Sequence, residues 1–328
     1  MMNQIRPIFL FLLVVFFGCK DSKSTKTEKA EKPLEKAEKI VVTKPTVSFT
    51  FDDGNTSNLA GFQFEEWNKM ILSHLENENL KSVFFVTGKN KSDKKGQFLL
   101  KSWNDNGHKI ANHSFSHPYF NSEENDSHLF ESELNKTDAI ISNLSNYIKL
   151  FRFPYLKEGQ NPSKVNSIRN ILANNDYQNG YVTIDASDWY VDQRLITRIK
   201  EVGIEKTEID GFRDFYVQHI MERANYYEKL SKELNGRHIN HTLLLHHNLT
   251  SALFLDDLIN KFKEEGWVLI DAEKAYQDSI FEKIPDPNFA GESLIYSMAK
   301  QSGKYGKSLR YPAEDGRYEK TRMNELGL

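Results

Sequence analysis

Two aspartates stand side by side, Asp52 and Asp53, where the apolar run in "VSFTFDDGN" ends. Adjacent carboxylates that are partly buried each disfavour the other's ionisation, so the pair calls for partners. The stretch "NHSFSH" places His113 and His117 four apart. In a helix or a tight turn that spacing aims both imidazoles at one point, and neutral imidazole is a common zinc ligand. Two histidines and one carboxylate make a typical catalytic zinc set with a position left for water. One aspartate then binds the metal, and the other stays unligated to take a proton from water. A plain Asp-Asp-Gly turn with Gly54 at positive φ accounts for the glycine but not for the histidines.

Three further stretches carry candidate chemistry. "FRFPYL" holds Arg152, Pro154 and Tyr155. A fixed guanidinium grips a carboxylate bidentately and keeps it ionised, although a surface salt bridge uses the same residue types. "TIDASDWY" holds Asp185, Asp188 and Trp189. Asp185, at a strand end, is placed to orient a histidine by accepting its second N–H, and Asp188 reads as a helix cap. Trp189 can wall a pocket for a small acyl group or pack beneath a sugar. "HTLLLHHN" ends in His246 and His247. Neighbours on a continuing strand point to opposite faces, so the two have different roles; His246 is the candidate general acid. The remaining histidines read as structural.

These groups need a scaffold. From Thr46 onward, short apolar runs at 47–51, 82–86, 109–112, 149–153, 181–184, 242–245 and 267–270 read as strands. Helix-like segments at 62–78, 97–104, 127–146, 163–174, 212–234 and 251–265 lie between them. That alternation predicts an α/β fold, a distorted (β/α) barrel of about seven parallel strands, with a doubly wound open sheet as the other arrangement. The candidate polar residues follow the C-terminal ends of the runs, the edge that carries the active site in parallel barrels. The last segment, 284–328, is either a disordered tail or includes a short docked helix over 292–301.

The 328 residues carry a net charge of −3, which gives no support for nucleic-acid binding by bulk electrostatics. The first residues read as an export signal: Arg6, then an apolar run over 8–17, too short to span a bilayer as a helix of ~20 residues. The run ends at Gly18-Cys19, the chain's single cysteine, and resembles a bacterial lipoprotein signal in which that cysteine is lipidated. A plain secretory signal is the alternative. The Lys/Glu-rich stretch that follows cannot build a core and reads as a tether with a reach of roughly 25 Å. The expected organisation is a signal at 1–18, a tether at 19–45, a catalytic domain at 46–283 and a C-terminal extension at 284–328. The expected location is the bacterial cell envelope, lipid-anchored through Cys19, or secreted if Cys19 is not lipidated; the expected state is a monomer.

Taken in order, Thr50-Phe51-Asp52-Asp53-Gly54, His113 to His117, Arg152 to Tyr155, Asp185 to Trp189 and Leu244-Leu245-His246 resemble the motifs of the polysaccharide deacetylases of carbohydrate esterase family four. The resemblance covers roughly 46–271. It implies a distorted barrel and a divalent metal, usually zinc, bound by Asp53, His113 and His117. It further implies Asp52 as base held by Arg152, His246 as acid oriented by Asp185, and the Tyr155 N–H on the oxyanion. Trp189 and Pro154 would shape the pocket. The implied substrate is an acetylated polysaccharide such as peptidoglycan or chitin. Acetylated xylan, a small amide, or glycan binding without catalysis are the other readings. Asn55 and His247 depart from the family pattern, and the long 190–241 segment is expected to reshape the groove.

Overall fold

The computed structural model describes residues 43–309 and 316–328; the expected signal and Cys19, with the tether up to 42, lie outside the described residues. The central strand, β1 (Thr46–Asp53), alternates apolar Val47, Phe49 and Phe51 with Thr46, Ser48, Thr50 and Asp52. Nearly all of it is buried, as in a parallel strand covered on both faces. The hydroxyls escape the cost of burial by donating to carbonyls of the adjacent strand β6 (Asn240–His246) and the residue before it: Thr50 to Leu243 at 2.8 Å, Ser48 to His241 at 3.0 Å, Thr46 to Ile239 at 3.2 Å. On the other face, Phe49 meets Phe262 and Phe51 stacks on Phe84.

The other strands are β2 (Val83–Val86), β3 (Lys109–Asn112), β4 (Tyr147–Phe151), β5 (Gln178–Asn179) and β7 (Val268–Leu269). All pairings are parallel, in the order β5-β4-β3-β2-β1-β6, with β7 against the start of β1. Helices follow the strands: α1 (Phe64–Asn77), α2 (Lys94–Asp105), α3 (Ser127–Ile141), α4 (Pro162–Asn174), α5 (Asp188–Val202), α6 (Ile209–Asn235), α7 (Leu249–Glu264) and the short α8 (Ala272–Ala275). Side-chain caps open several of them: Asp93 accepts from Gly96 N, Asp126 from Leu129 N, Asn161 from Lys164 N and Asn248 from Ser251 N. The expected distorted (β/α) barrel is the observed fold.

Two sequence expectations are corrected. The run 181–184 is not a regular strand. Residues 178–180 bond to β4, with Gly180 N on Phe151 O at 2.7 Å, and 183–184 bond to β6, with Ile184 N on Thr242 O at 3.0 Å. The segment changes neighbours within a few residues, so its ladder stops and one isolated bridge, Ile184 to Leu243, remains. This crossing joins the two edges of the sheet. Second, the stretch after Trp189 was expected to hold one helix and holds two, α5 and α6. Phe212, Tyr216, Ile220 and Tyr227 of α6 are buried in the main core, and α6 packs on α7.

In the C-terminal segment, α9 (Leu294–Ser302) buries Leu294 and Ile295 against the core, and Leu294 N donates to Val182 O at 2.8 Å. The last helix, α10 (Arg317–Leu326), buries Glu319 and Met323. Among the described residues, no helix is long and apolar enough to cross a membrane.

Candidate active site

Side chains of adjacent strand residues point to opposite faces, so Asp52 and Asp53 reach one site only if the strand breaks its alternation. It does so at Asp53, whose φ is 74°, followed by Gly54 at 75°. Left-handed non-glycine residues recur around the site at Ser114, His117, Tyr155 and Leu156. Such conformations persist only where surrounding structure over-determines them, and they gather at functional sites.

Asp52 is 2% exposed and lies 2.6 Å from Arg152 Nη1 through Oδ1. That Nη1 also donates to Thr50 Oγ1 at 2.9 Å; Nε donates to Gly180 O at 3.0 Å and Nη2 to the Tyr276 hydroxyl at 2.9 Å. The guanidinium lies over the Phe85 ring, 3.8 Å from its centroid. A buried charge this fully bonded is fixed in place, and it neutralises Asp52.

Asp53 Oδ1 lies 3.7 Å from Nε2 of both His113 and His117. His113 Nδ1 sits 2.8 Å from Arg152 O. A carbonyl only accepts, so Nδ1 carries a proton, and Nε2 is turned towards the aspartates, 3.7 Å from Asp52 Oδ2 as well as from Asp53 Oδ1. Burial, with His113 beside it, pushes His117 down to about 4, so His117 is neutral near pH 7. One ligand atom from each of the three residues falls within 4.8 Å of the others. Ligands on a tetrahedral zinc with bonds of ~2.0–2.1 Å stand about 3.3 Å apart, so one carboxylate and two imidazoles at these distances fit a divalent cation.

His246 closes the other side. Its Nδ1 lies 2.7 Å from Asp188 Oδ1, and its own N–H donates to Asp188 Oδ2, also at 2.7 Å. Asn248, the α7 cap, donates to the same Oδ2 at 3.2 Å. The residue that orients His246 is therefore Asp188, not Asp185 as the sequence suggested. α5 begins at Asp188, and that first turn carries its carboxylate across to the end of β6. Asp185 lines the cavity, and its main-chain carbonyl accepts from Arg223 Nε at 3.1 Å. Burial opposes charging of His246, but the Asp188 carboxylate outweighs it and the imidazole is pushed up to about 10. His247 points into the core: Nε2 lies 3.0 Å from Asn68 Oδ1, and the ring packs on Trp67 and Trp103.

Asp52, Asp53, His113, His117 and His246 share a cavity of about 300 Å³ whose apolar wall includes Trp189, Leu156 and Leu244. Pro154 begins the turn that carries Tyr155 and Leu156. That turn spends the amides of Leu156 and Lys157 on its own carbonyls. The half-exposed Tyr155 ring stands edge-on to His117, 4.6 Å between centroids. A second cavity of about 310 Å³, lined by Asn55, Thr87, Lys89, Asn90 and Phe115, shares Asp53 and His117 with the first. Neither is lined by residues 190–241, so the expected reshaping of the groove by that segment is not seen. Sequence reasoning missed the contacts of Arg152 with Thr50, Gly180 and Tyr276, and Glu133, which accepts from the amide of Phe115 in the histidine turn. A hydroxyl or glutamate in a helix or strand carries no local mark of such a role.

The family model described as polysaccharide deacetylase matches residues 39–179. That span includes Asp52, Asp53, His113, His117 and Arg152 and stops before Asp188 and His246. A peptidoglycan-N-acetylglucosamine deacetylase of Bacillus cereus is 33% identical over 113 residues, 34% of this chain and 37% of the relative. The chain thus matches little more than a third of that curated relative's length. Among solved structures, the peptidoglycan deacetylase PdaC of Bacillus subtilis aligns with a TM-score of 0.49 and 22% identity, covering 72% of this chain and 91% of that one. A pseudoenzyme of the CE4 family from Bacillus anthracis aligns with a TM-score of 0.49 and 20% identity, covering 71% and 66%. Over residues 39–179 the chain is similar to the polysaccharide deacetylase family.

Proposed function

We propose that this protein hydrolyses N-acetyl groups of an amino-sugar polysaccharide, peptidoglycan or chitin-like, and releases acetate. The observation that carries this reading is the convergence of Asp52, the Asp53-His113-His117 cluster and His246 on one cavity. Asp53, His113 and His117 would hold the divalent cation, most simply zinc. When bound there, it supplies Lewis-acid chemistry, polarising the acetyl carbonyl and making water more acidic.

The chain's own residues do the rest. Asp52, aimed by Arg152 at 2.6 Å, takes the proton of the attacking water. The Tyr155 N–H donates to the carbonyl oxygen as negative charge develops there. The acetyl methyl fits against Trp189, Leu156 and Leu244. His246, held as the acid by Asp188, gives its proton to the leaving nitrogen, which otherwise leaves poorly. Two cavities meeting at Asp53 and His117 suit sugars on either side of the acetylated one, which favours a polymer over a small amide. Export and a lipid anchor at Cys19 would place the enzyme in the cell envelope, beside such a polymer.

The test is acetate release from peptidoglycan, chitin and acetylated xylan, by protein stripped with chelator and by protein reloaded with zinc. Release from the amino-sugar polymers by the reloaded protein alone is expected. Equal release after exhaustive chelation overturns the metal assignment. Release from xylan only makes the protein an O-acetyl esterase. Glycan binding without release places it with the non-catalytic members.

A further inference from the structure

Beneath the Asp-Asp-Gly turn lies a lysine with no solvent exposure, Lys91. A buried ammonium is costly unless its donors are used. Lys91 Nζ donates to Gly54 O at 2.7 Å and to Asp53 O at 3.2 Å. Those carbonyls belong to the two consecutive left-handed residues that bring Asp53 into the site.

The side chain reaches them from an anchored backbone. Lys91 N donates to Gly88 O at 2.9 Å, and Lys91 O accepts from Gln97 Nε2 at 2.6 Å. The start of α2 presses so close that a Cβ on Gly96 would stand 2.4 Å from Lys91 Cα. The lysine methylenes fill the space under the turn, since a Cβ on Gly54 would meet Lys91 Cε and Trp103 at 2.8 Å each. Asp53 O also accepts from Thr87, through N at 3.1 Å and Oγ1 at 3.0 Å. Gly54 O accepts from the ammonium at 2.7 Å, so Lys91 spans both halves of the turn.

We propose that Lys91 is a positioning residue for the metal site: its buried ammonium holds the Asp53 and Gly54 carbonyls and keeps the strand end in the left-handed turn that aims Asp53 at His113 and His117. This rests on the metal-site reading above. Outer partners that orient a ligand contribute about 10- to 100-fold to metal affinity.

The experiment is Co²⁺ titration of the chelator-stripped protein, followed by its visible absorption, for wild type, Lys91→Met, Lys91→Gln and His113→Ala, with urea unfolding of each. Met fills the space without donors; Gln keeps N–H donors without charge. Lys91→Met is expected to bind cobalt at least tenfold more weakly, and Lys91→Gln to bind more tightly than Lys91→Met. A folded Lys91→Met within threefold of wild type, or one that binds better than Lys91→Gln, overturns the proposal. If Lys91→Met does not fold, Lys91→Gln decides: its shorter, uncharged side chain is expected to bind cobalt more than threefold more weakly than wild type, and binding within threefold overturns the proposal. Wild type that binds cobalt no better than His113→Ala would instead sink the metal-site reading, and this proposal with it.

Discussion

At the scale of single residues, neighbours along the chain receive different jobs through different partners. Asp52 bonds a guanidinium and shares the His113 imidazole with Asp53, which also meets His117. Asp52→Asn should therefore keep Co²⁺ binding while turnover falls by about 10²–10⁴. Loss of cobalt binding in that variant would mean the two aspartates have been assigned the wrong way round. His246 remains protonated until pH rises towards about 10 because Asp188 overcomes the effect of burial. In Asp188→Asn that support is gone, the imidazole loses its proton at lower pH, and the basic limb of the kcat profile should shift to lower pH. An unmoved limb in Asp188→Asn, with a shifted one in Asp185→Asn, would restore the assignment made from sequence.

At the scale of elements, the site depends on a segment that is barely a strand. Residues 178–184 carry the chain from β4 to β6, and Gly180 O receives Arg152 Nε on the way. A Cβ at Gly180 would stand 2.4 Å from the Phe85 ring, the same ring that Arg152 covers. Gly180→Ala should thus cost about 1–3 kcal/mol through overpacking and lower kcat by displacing the guanidinium. Urea unfolding and steady-state kinetics check both; a variant with wild-type stability and kcat would show that the crossing tolerates a side chain. α5 matters to the site through its first residue, because starting the helix at Asp188 turns one carboxylate onto His246.

At the scale of the whole molecule, stability is tied to buried neutral histidines. His108 Nδ1 accepts from Ser82 N at 3.1 Å, and burial, helped by Lys81, pushes it from its usual 6.5 down to about 3. The unfolded chain takes up a proton below 6.5 that the folded chain refuses until about 3. The stabilisation is complete above pH 6.5 and is lost as pH falls through that window. Unfolding free energy from urea titration should drop between pH 7 and pH 5, and less steeply in His108→Gln. An unchanged slope would remove His108 from the explanation.

The sequence by itself determined the repertoire: two adjacent carboxylates, two histidines four apart, one arginine and one late histidine, each at the end of a short apolar run. Those features are local, because strand and helix periodicity and the chemistry of a turn are set by residues a few positions apart. Tertiary structure decided which groups meet. Asp188 and His246 are 58 residues apart, and nothing in "DASDW" separates Asp188 from Asp185 until the start of α5 sets its direction. The run 181–184 has strand composition, yet its neighbours change midway, and pairing partners are a long-range property. Lys91 looks like one more charged residue in a polar stretch. Only the packing of α2 and Trp103 around it shows that its ammonium lies under the turn that brings Asp53 to the histidines.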